Sequence, residues 1–177
     1  MSETISGGYN ELCDVPGGVD THYAFPLRDE DGVSTIDTYT VVDGVVTALT
    51  LTSGFQSFAF NVEAETGSFT VDSIGDKATG SNAYTHTSIM IFHGNTAENL
   101  VNIHAMNVGR HAVIHALADG TFELLHMTNG GKNQSGRASG TAYSDMNGTT
   151  LTLTSNEKLY APKIPANIVE ALLIPAS

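Results

Sequence analysis

Seven histidines are the residues of this chain best suited to chemistry, and their spacing is the first test of it. His111 and His115 lie four apart, which suits a zinc site only where both project from one side of a helix. They stand in HAVIHAL, whose valine, isoleucine and alanines fit a strand. On a strand the two share a face but lie about 13 Å apart, too far to chelate one ion. His86, His93, His104 and His126 stand alone, without CxxC or HExxH spacing. The expectation is surface histidines or hydrogen-bonded core histidines, and no metal.

Nucleophiles fare no better. There is no GxSxG, and the single cysteine, Cys13, sits in an acidic segment that disfavours its thiolate. Among nineteen acids no carboxylate pair stands out as an acid and base couple. Lys132 in NGGKNQSG lacks the strand-to-helix setting of a phosphate-binding loop, so Asn129–Arg137 reads as a hairpin loop. Asn133-Gln134-Ser135 and Asn147-Gly148-Thr149 match glycosylation triplets by chance, since MSETISGGYN is polar and acidic rather than a leader for export. The residues call for no catalysis and no cofactor.

The elements that would position these residues are mostly strands. Thr21–Leu27 reads as a first strand. In Ser34–Leu51, Asp43-Gly44 splits two runs rich in valine and threonine, a local hairpin signal. Phe58, Phe60 and Val62 alternate with polar or small residues, as in a half-buried strand. Glu65-Thr66-Gly67 closes a turn before SFTV, and Gly75–His86 is loop-like. Thr87–Phe92 reads as a buried strand, and Asp119-Gly120 joins two further strands, His111–Leu117 and Thr121–Thr128. One helix is expected at about 96–108, with Asn95 as its cap, Leu100, Ile103 and Asn107, with Met106, at helical spacing, and Gly109 at its end. In the closing hairpin Leu151 and Leu153 face the core, Thr150, Thr152 and Thr154 face away, and Asp145–Gly148 turns the chain. Prolines 162, 165 and 175 leave room for a short helix or an extended arm at Ala166–Leu173.

Composition agrees. Threonine (21) and glycine (18) supply strands and turns, and only 15% of residues are charged. The fold class expected is all-β, a β-sandwich or small barrel with one short helix packed on it. Residues 1–10 form a flexible arm, 11–160 a single domain, and 161–177 a C-terminal arm. No apolar run reaches the length of a membrane span. The net charge is −12, and residues 1–76 hold thirteen acids against one base, Arg28. Such a surface does not grip nucleic acid, which requires clustered lysine and arginine. The absence of tryptophan argues against an aromatic platform for sugars.

The order of several segments resembles a family of virion structural proteins of tailed bacteriophages, most like tail tube subunits. The segments are Cys13 with Gly17-Gly18-Val19, Val45–Leu49, Ala118–Leu125, Ser139–Gly148, and Thr150–Thr154 with Glu157. Two places depart from the family pattern: His126-Met127-Thr128 stands where a glycine turn is expected, and Asp20 and His22 stand where basic or aliphatic residues are expected.

The resemblance implies a subunit that assembles with itself into rings of six, stacked as a hollow tube through which DNA passes during ejection. Its partners would be its own copies, other tail or head-tail connector proteins, and DNA in transient, non-specific passage. It would be made in the host cytoplasm and reside in the virion tail, without a membrane anchor. The alternative is another virion structural protein, such as a tail terminator, a head-completion protein or a capsid-decorating protein. Asp72, Gly75, Lys77, Gly80, Asn82 and Tyr84 are expected in a loop between rings, and Asp145, Asn147 and Gly148 in the signature turn.

Overall fold

Ten strands and two helices make up the described part of the chain. The computed structural model describes residues 17–63, 66–75, 80–94, 96–142 and 145–174. Residues 1–16, including Cys13, lie outside it, as do Asn95 and Lys77. In chain order come β1 (Val19–Pro26), β2 (Ile36–Val42), β3 (Val45–Leu51), β4 (Phe58–Asn61), β5 (Gly67–Ser73) and β6 (Tyr84–His93). Then follow α1 (Ala97–Val108), β7 (His111–Leu117), β8 (Phe122–Leu125), β9 (Lys132–Ala138), β10 (Gly148–Glu157) and α2 (Ala166–Leu172).

The strands form two four-stranded antiparallel sheets, ordered β4-β1-β7-β8 and β5-β6-β10-β9, and a separate β2-β3 hairpin. The first sheet is the central layer. On one of its faces Phe25, Ala112, Ile114 and Leu124 pack with Val46, Leu49 and Leu51 of the hairpin and with Val169 and Leu172 of α2. On its other face Ala24 and Val113 meet Met90, Leu151 and Leu153 of the second sheet and Ile103 and Met106 of α1. Covered on both sides, β7 is buried through its first five residues, which explains why HAVIHAL lacks a polar alternation. All-β architecture with short packed helices is therefore the observed class.

Turn chemistry sets the hairpins. Asp43 and Gly44 both take positive φ, 50° and 76°, the pair that matches the twist of a two-residue hairpin. The Asp119 carboxylate accepts from the backbone N–H and hydroxyl of Thr121, which fixes the β7-β8 turn. In the closing hairpin Asp145 Oδ2 accepts from the N–H groups of Thr141 and Ala142, both at 2.8 Å, and from the Thr141 hydroxyl. These bonds hold the Asp145 carboxyl below the usual carboxylate range. Leu151 and Leu153 are fully buried and Thr150, Thr152 and Thr154 are not, as the alternation implied.

Gly148 has a steric reason to be glycine. A Cβ there would lie 2.1 Å from the Phe92 carbonyl oxygen across the β6-β10 pair. Gly148→Ala should therefore lower stability by about 1–3 kcal/mol, seen as a lower urea midpoint at unchanged slope. Gly136→Ala, where no atom approaches, is the matched control.

Several expectations need correction. Asn129–Arg137 is not a loop: Lys132–Ala138 is strand β9, paired along its length with β10. A run of polar and glycine residues hides this strand, because its pairing comes from the backbone. The cap of α1 is Thr96, whose hydroxyl accepts from Asn99 N–H at 3.2 Å, rather than Asn95. Gly109 ends the helix with extended backbone, and its lack of a Cβ serves the close approach of the His111 ring. Of the two forms expected at Ala166–Leu173, the short helix is the one present, as α2. Ala161, Ile164, Val169 and Leu172 are buried, and Lys163 bridges to Val45 and Glu123. Phe58 lies half-exposed at the open edge of the central sheet.

Candidate functional site

Facing positions of β6 and β10 change from apolar to polar along the sheet. Met90 and Leu151 are register partners at the apolar end. Further on, Leu153 pairs with Ser88, Ser155 with His86 and Glu157 with Tyr84. Residues 151, 153, 155 and 157 share one face of β10, and all four are buried. The polar end meets His22 of β1 and His115 of β7, which are themselves register partners.

Together these residues form a continuous buried chain of hydrogen bonds. His22 Nδ1 lies 2.8 Å from His115 Nδ1. His115 Nε2 lies 2.8 Å from Ser88 Oγ, which is also 2.8 Å from His126 Nε2. His126 Nδ1 is 2.8 Å from Ser155 Oγ, and that hydroxyl donates to Glu157 Oε1 at 2.9 Å. Glu157 also accepts from the N–H groups of Thr128 at 2.8 Å and Asn129 at 3.1 Å. His22, Ser88, His115 and His126 are all at 0% exposure.

The carboxylate gives the chain a direction, since each link holds one proton. Ser155 spends its proton on Glu157, so it accepts from His126 Nδ1–H. His126 Nε2 is then an acceptor and takes the Ser88 proton. Ser88 accepts from His115 Nε2–H, and His115 Nδ1 accepts from His22 Nδ1–H. Three neutral histidines in defined tautomers result, with a bare lone pair on His22 Nε2. That atom has no hydrogen-bond partner among the described residues, and a Cβ at Gly67 would lie 2.4 Å from it. Glycine at 67 is what lets the ring fit.

Burial keeps the imidazoles neutral. It lowers the pKa of His22 to about 4 and that of His126 to about 3. His115 is driven well below the ordinary histidine value by burial, and then by its three histidine neighbours. His86 sits beside the chain, with Nε2 donating to the Leu159 carbonyl oxygen and Nδ1 accepting from His126 N–H, and burial lowers it too. The Phe69 ring stacks on His115 at 4.8 Å. His126 adopts φ 62°, the left-handed region, which costs about 1–3 kcal/mol in a residue other than glycine. Its backbone carbonyl accepts from Gly130 N–H, so the same turn carries both backbone and ring contacts.

Ser88, His126, Ser155 and Glu157 contain the parts of a nucleophile and base arrangement. Two clefts of the described surface are lined by other residues, and Ser88 is fully buried. One cleft, of about 640 Å³, runs between β4 and α1 past Ala24, Phe58, Phe60, Phe92, Ile103 and Met106. The other, of about 560 Å³, includes Arg28, Arg110, Thr128 and Asn129. No three His, Cys, Asp or Glu side chains among the described residues are placed to hold one metal ion, and none of the described helices is long and apolar enough to cross a membrane.

Residues expected between rings divide. Asp72 and Tyr84 are not in a loop but in the paired ends of β5 and β6, where Asp72 faces Thr85 and Tyr84 faces Ser73. Ile74 N–H donates to the Ala83 carbonyl oxygen, so the connection proper is 75–82, with Gly75, Gly80 and Asn82 in it. In the signature turn, Asn147 accepts through its carbonyl from Gly94 N–H, and Gly148 opens β10. The glycosylation triplet at Asn133 is structural: its amide donates to Asn107 of α1 at 2.6 Å, and the residue is buried.

Sequence reasoning missed the histidine chain. Two signals lay in plain view: Ser155 and Glu157 continue the inward parity of Leu151 and Leu153, and His22 shares a parity with Ala24. Comparison with protein-family models, curated proteins and solved structures finds no match for this chain.

Proposed function

We infer that this protein is a structural subunit that assembles with copies of itself, of the kind that forms bacteriophage tail tubes. The observation that carries this is a pair of unlike apolar surfaces on opposite sides of the central sheet. On one side the β2-β3 hairpin exposes Val42 and Val45 at its tip. On the other the cleft beside edge strand β4 exposes Phe58, 54% accessible. A contact between two different patches is head-to-tail, and such contacts close into rings when the rotation permits. The unpaired edge of β4 supplies backbone groups for the same junction.

Charge supports passage of DNA through such a ring. Asp20, Asp29, Glu30, Asp31, Asp37, Asp43, Glu63 and Asp72 all retain solvent exposure. An acidic wall would repel a polyanion and so let it slide without binding.

Electron microscopy over a concentration series tests the reading, with stacked rings around a channel as the expected result. Phe58→Glu and Val42→Glu should each leave the fold intact and abolish ring formation. Monomers at every concentration would overturn the assignment, and discrete rings that never stack would favour a terminator or capsid-bound role. Shortening 75–82 to a two-residue turn should preserve rings and impair stacking.

A further inference from the structure

We propose that the cleft holding Arg28 and Arg110 binds a phosphate monoester: the two guanidinium groups and the Thr128 hydroxyl take the phosphate, and Leu27, Ile36 and Met127 take the group it carries. The inference stands on this cleft alone and does not depend on assembly.

Strand pairing brings the arginines to one place. Leu27 N–H donates to the Arg110 carbonyl oxygen at 2.9 Å, so the chain leaving β1 and the chain entering β7 run side by side there. Each side chain is braced by one backbone carbonyl. Arg28 Nη1 donates to Gly32 at 2.8 Å, and Arg110 Nη1 donates to Asn129 at 2.8 Å. A guanidinium has five N–H donors in a fixed fork, so most of them stay available. Among the described residues neither arginine has a carboxylate partner; the ion contact found there joins His93 to Glu63. Asp29, the neighbour of Arg28, accepts instead from Val33 N–H at 2.7 Å. Two like charges lining one cleft repel, and a dianion between them removes that cost.

The donors and the walls select the ligand. Thr128 spends its N–H on Glu157, while its hydroxyl has no partner among the described residues. The Ser34 hydroxyl, by contrast, is engaged by Ile36 N–H at 3.2 Å. Arg28, Arg110 and Thr128 come from three separate segments. A tetrahedral phosphate accepts from several directions, whereas a planar carboxylate is served by a single arginine fork. A phosphate monoester also carries about two negative charges near pH 7, matching two guanidinium groups. At about 560 Å³ the cleft has the size of a small-ligand site and exceeds a bare phosphate. Leu27 and Met127 are buried beneath it and Ile36 is half-buried, an apolar wall for the esterified group. Asp29, Glu30 and Asp31 share the turn of Arg28 without lining the cleft. They oppose a polymer that brings further phosphates against that turn, and so favour a small ligand over nucleic acid. Glu157 lies behind the cleft, bonded to Thr128 and Asn129 N–H.

Amide spectra of the ¹⁵N-labelled full chain test this, with inorganic phosphate and phenyl phosphate as probes and sodium chloride at matched ionic strength as the control. Both probes should shift the Thr128 and Asn129 amides saturably. Phenyl phosphate should bind at least about fivefold more tightly, through its apolar ring. Arg28→Gln and Arg110→Gln should each weaken binding by at least about tenfold. Arg137→Gln, on β9 and outside the cleft lining, should leave it unchanged. Both cleft arginines are exposed, and the same spectra show whether each variant is folded; if one is not, the other carries the test. No saturable shift with either probe, the same shifts with sodium chloride, or unweakened binding in a folded variant overturns the proposal. Phenyl phosphate binding no more tightly than phosphate overturns the monoester assignment. A short single-stranded DNA that binds at these amides more tightly than phenyl phosphate overturns it as well.

Discussion

Stability should fall steeply as pH drops from 7 to 5, by about 3–4 kcal/mol from His22 and His126 alone. Both are bases whose folded pKa lies below the unfolded value of 6.5, at about 4 and about 3. Between those values and 6.5 the unfolded chain binds protons that the folded chain refuses. The stabilisation is therefore complete above pH 6.5 and is lost progressively down to the folded pKa. Burial shifts His115, His86 and His111 in the same direction, so they steepen the slope. Glu123, raised by burial, acts with the opposite sign and is one group against five. For a domain stabilised by about 5–15 kcal/mol, this is a large fraction of the total. Urea unfolding at half-unit pH steps measures it, and a flat profile between pH 7 and 5 would show that these rings are not buried neutral.

Ser88→Ala should cost about 2–4 kcal/mol, although it removes a single oxygen atom. Ser88 links two rings, 2.8 Å from His115 Nε2 and 2.8 Å from His126 Nε2. Without it a buried donor and a buried acceptor both lose their partner, each worth about 1–3 kcal/mol. The site is fully buried and flanked by Phe69 and His115 rings, so no solvent replaces the lost hydroxyl at the surface. Thermal or urea unfolding at pH 7.5 reads the loss. A change under about 0.5 kcal/mol would mean that the hydroxyl does not join the two histidines.

The two effects are connected through the division of the sandwich interior. One end is held by Met90, Leu151 and Leu153 and is insensitive to pH. The other is held by polar groups whose every proton is assigned a place. Acid therefore weakens one end while leaving the apolar end packed.

Local chemistry in the chain was legible because it depends on neighbours in sequence. Asp43-Gly44 and Asp119-Gly120 announce turns through residues that tolerate or brace them, and alternation placed Leu151 and Leu153 inward. The Ala97–Val108 helix was legible from its apolar spacing. Strand β9 was not, because KNQSGRA carries no apolar period and is held by backbone bonds to β10. Nor was the packing of the C-terminal segment, since Ile164 and Val169 say nothing of which surface they cover.

The histidines divide the two kinds of information most clearly. The sequence alone determined that no metal-binding spacing is present and that the chain folds as strands around a few threonine-flanked leucines. Nothing in it joined His22 to His126. Only the tertiary structure decided that these two residues, 104 positions apart in the chain (126 − 22), belong to one chain of hydrogen bonds. The reason is physical: an imidazole acts through atoms within about 3 Å, and sheet pairing rather than sequence separation sets which atoms those are.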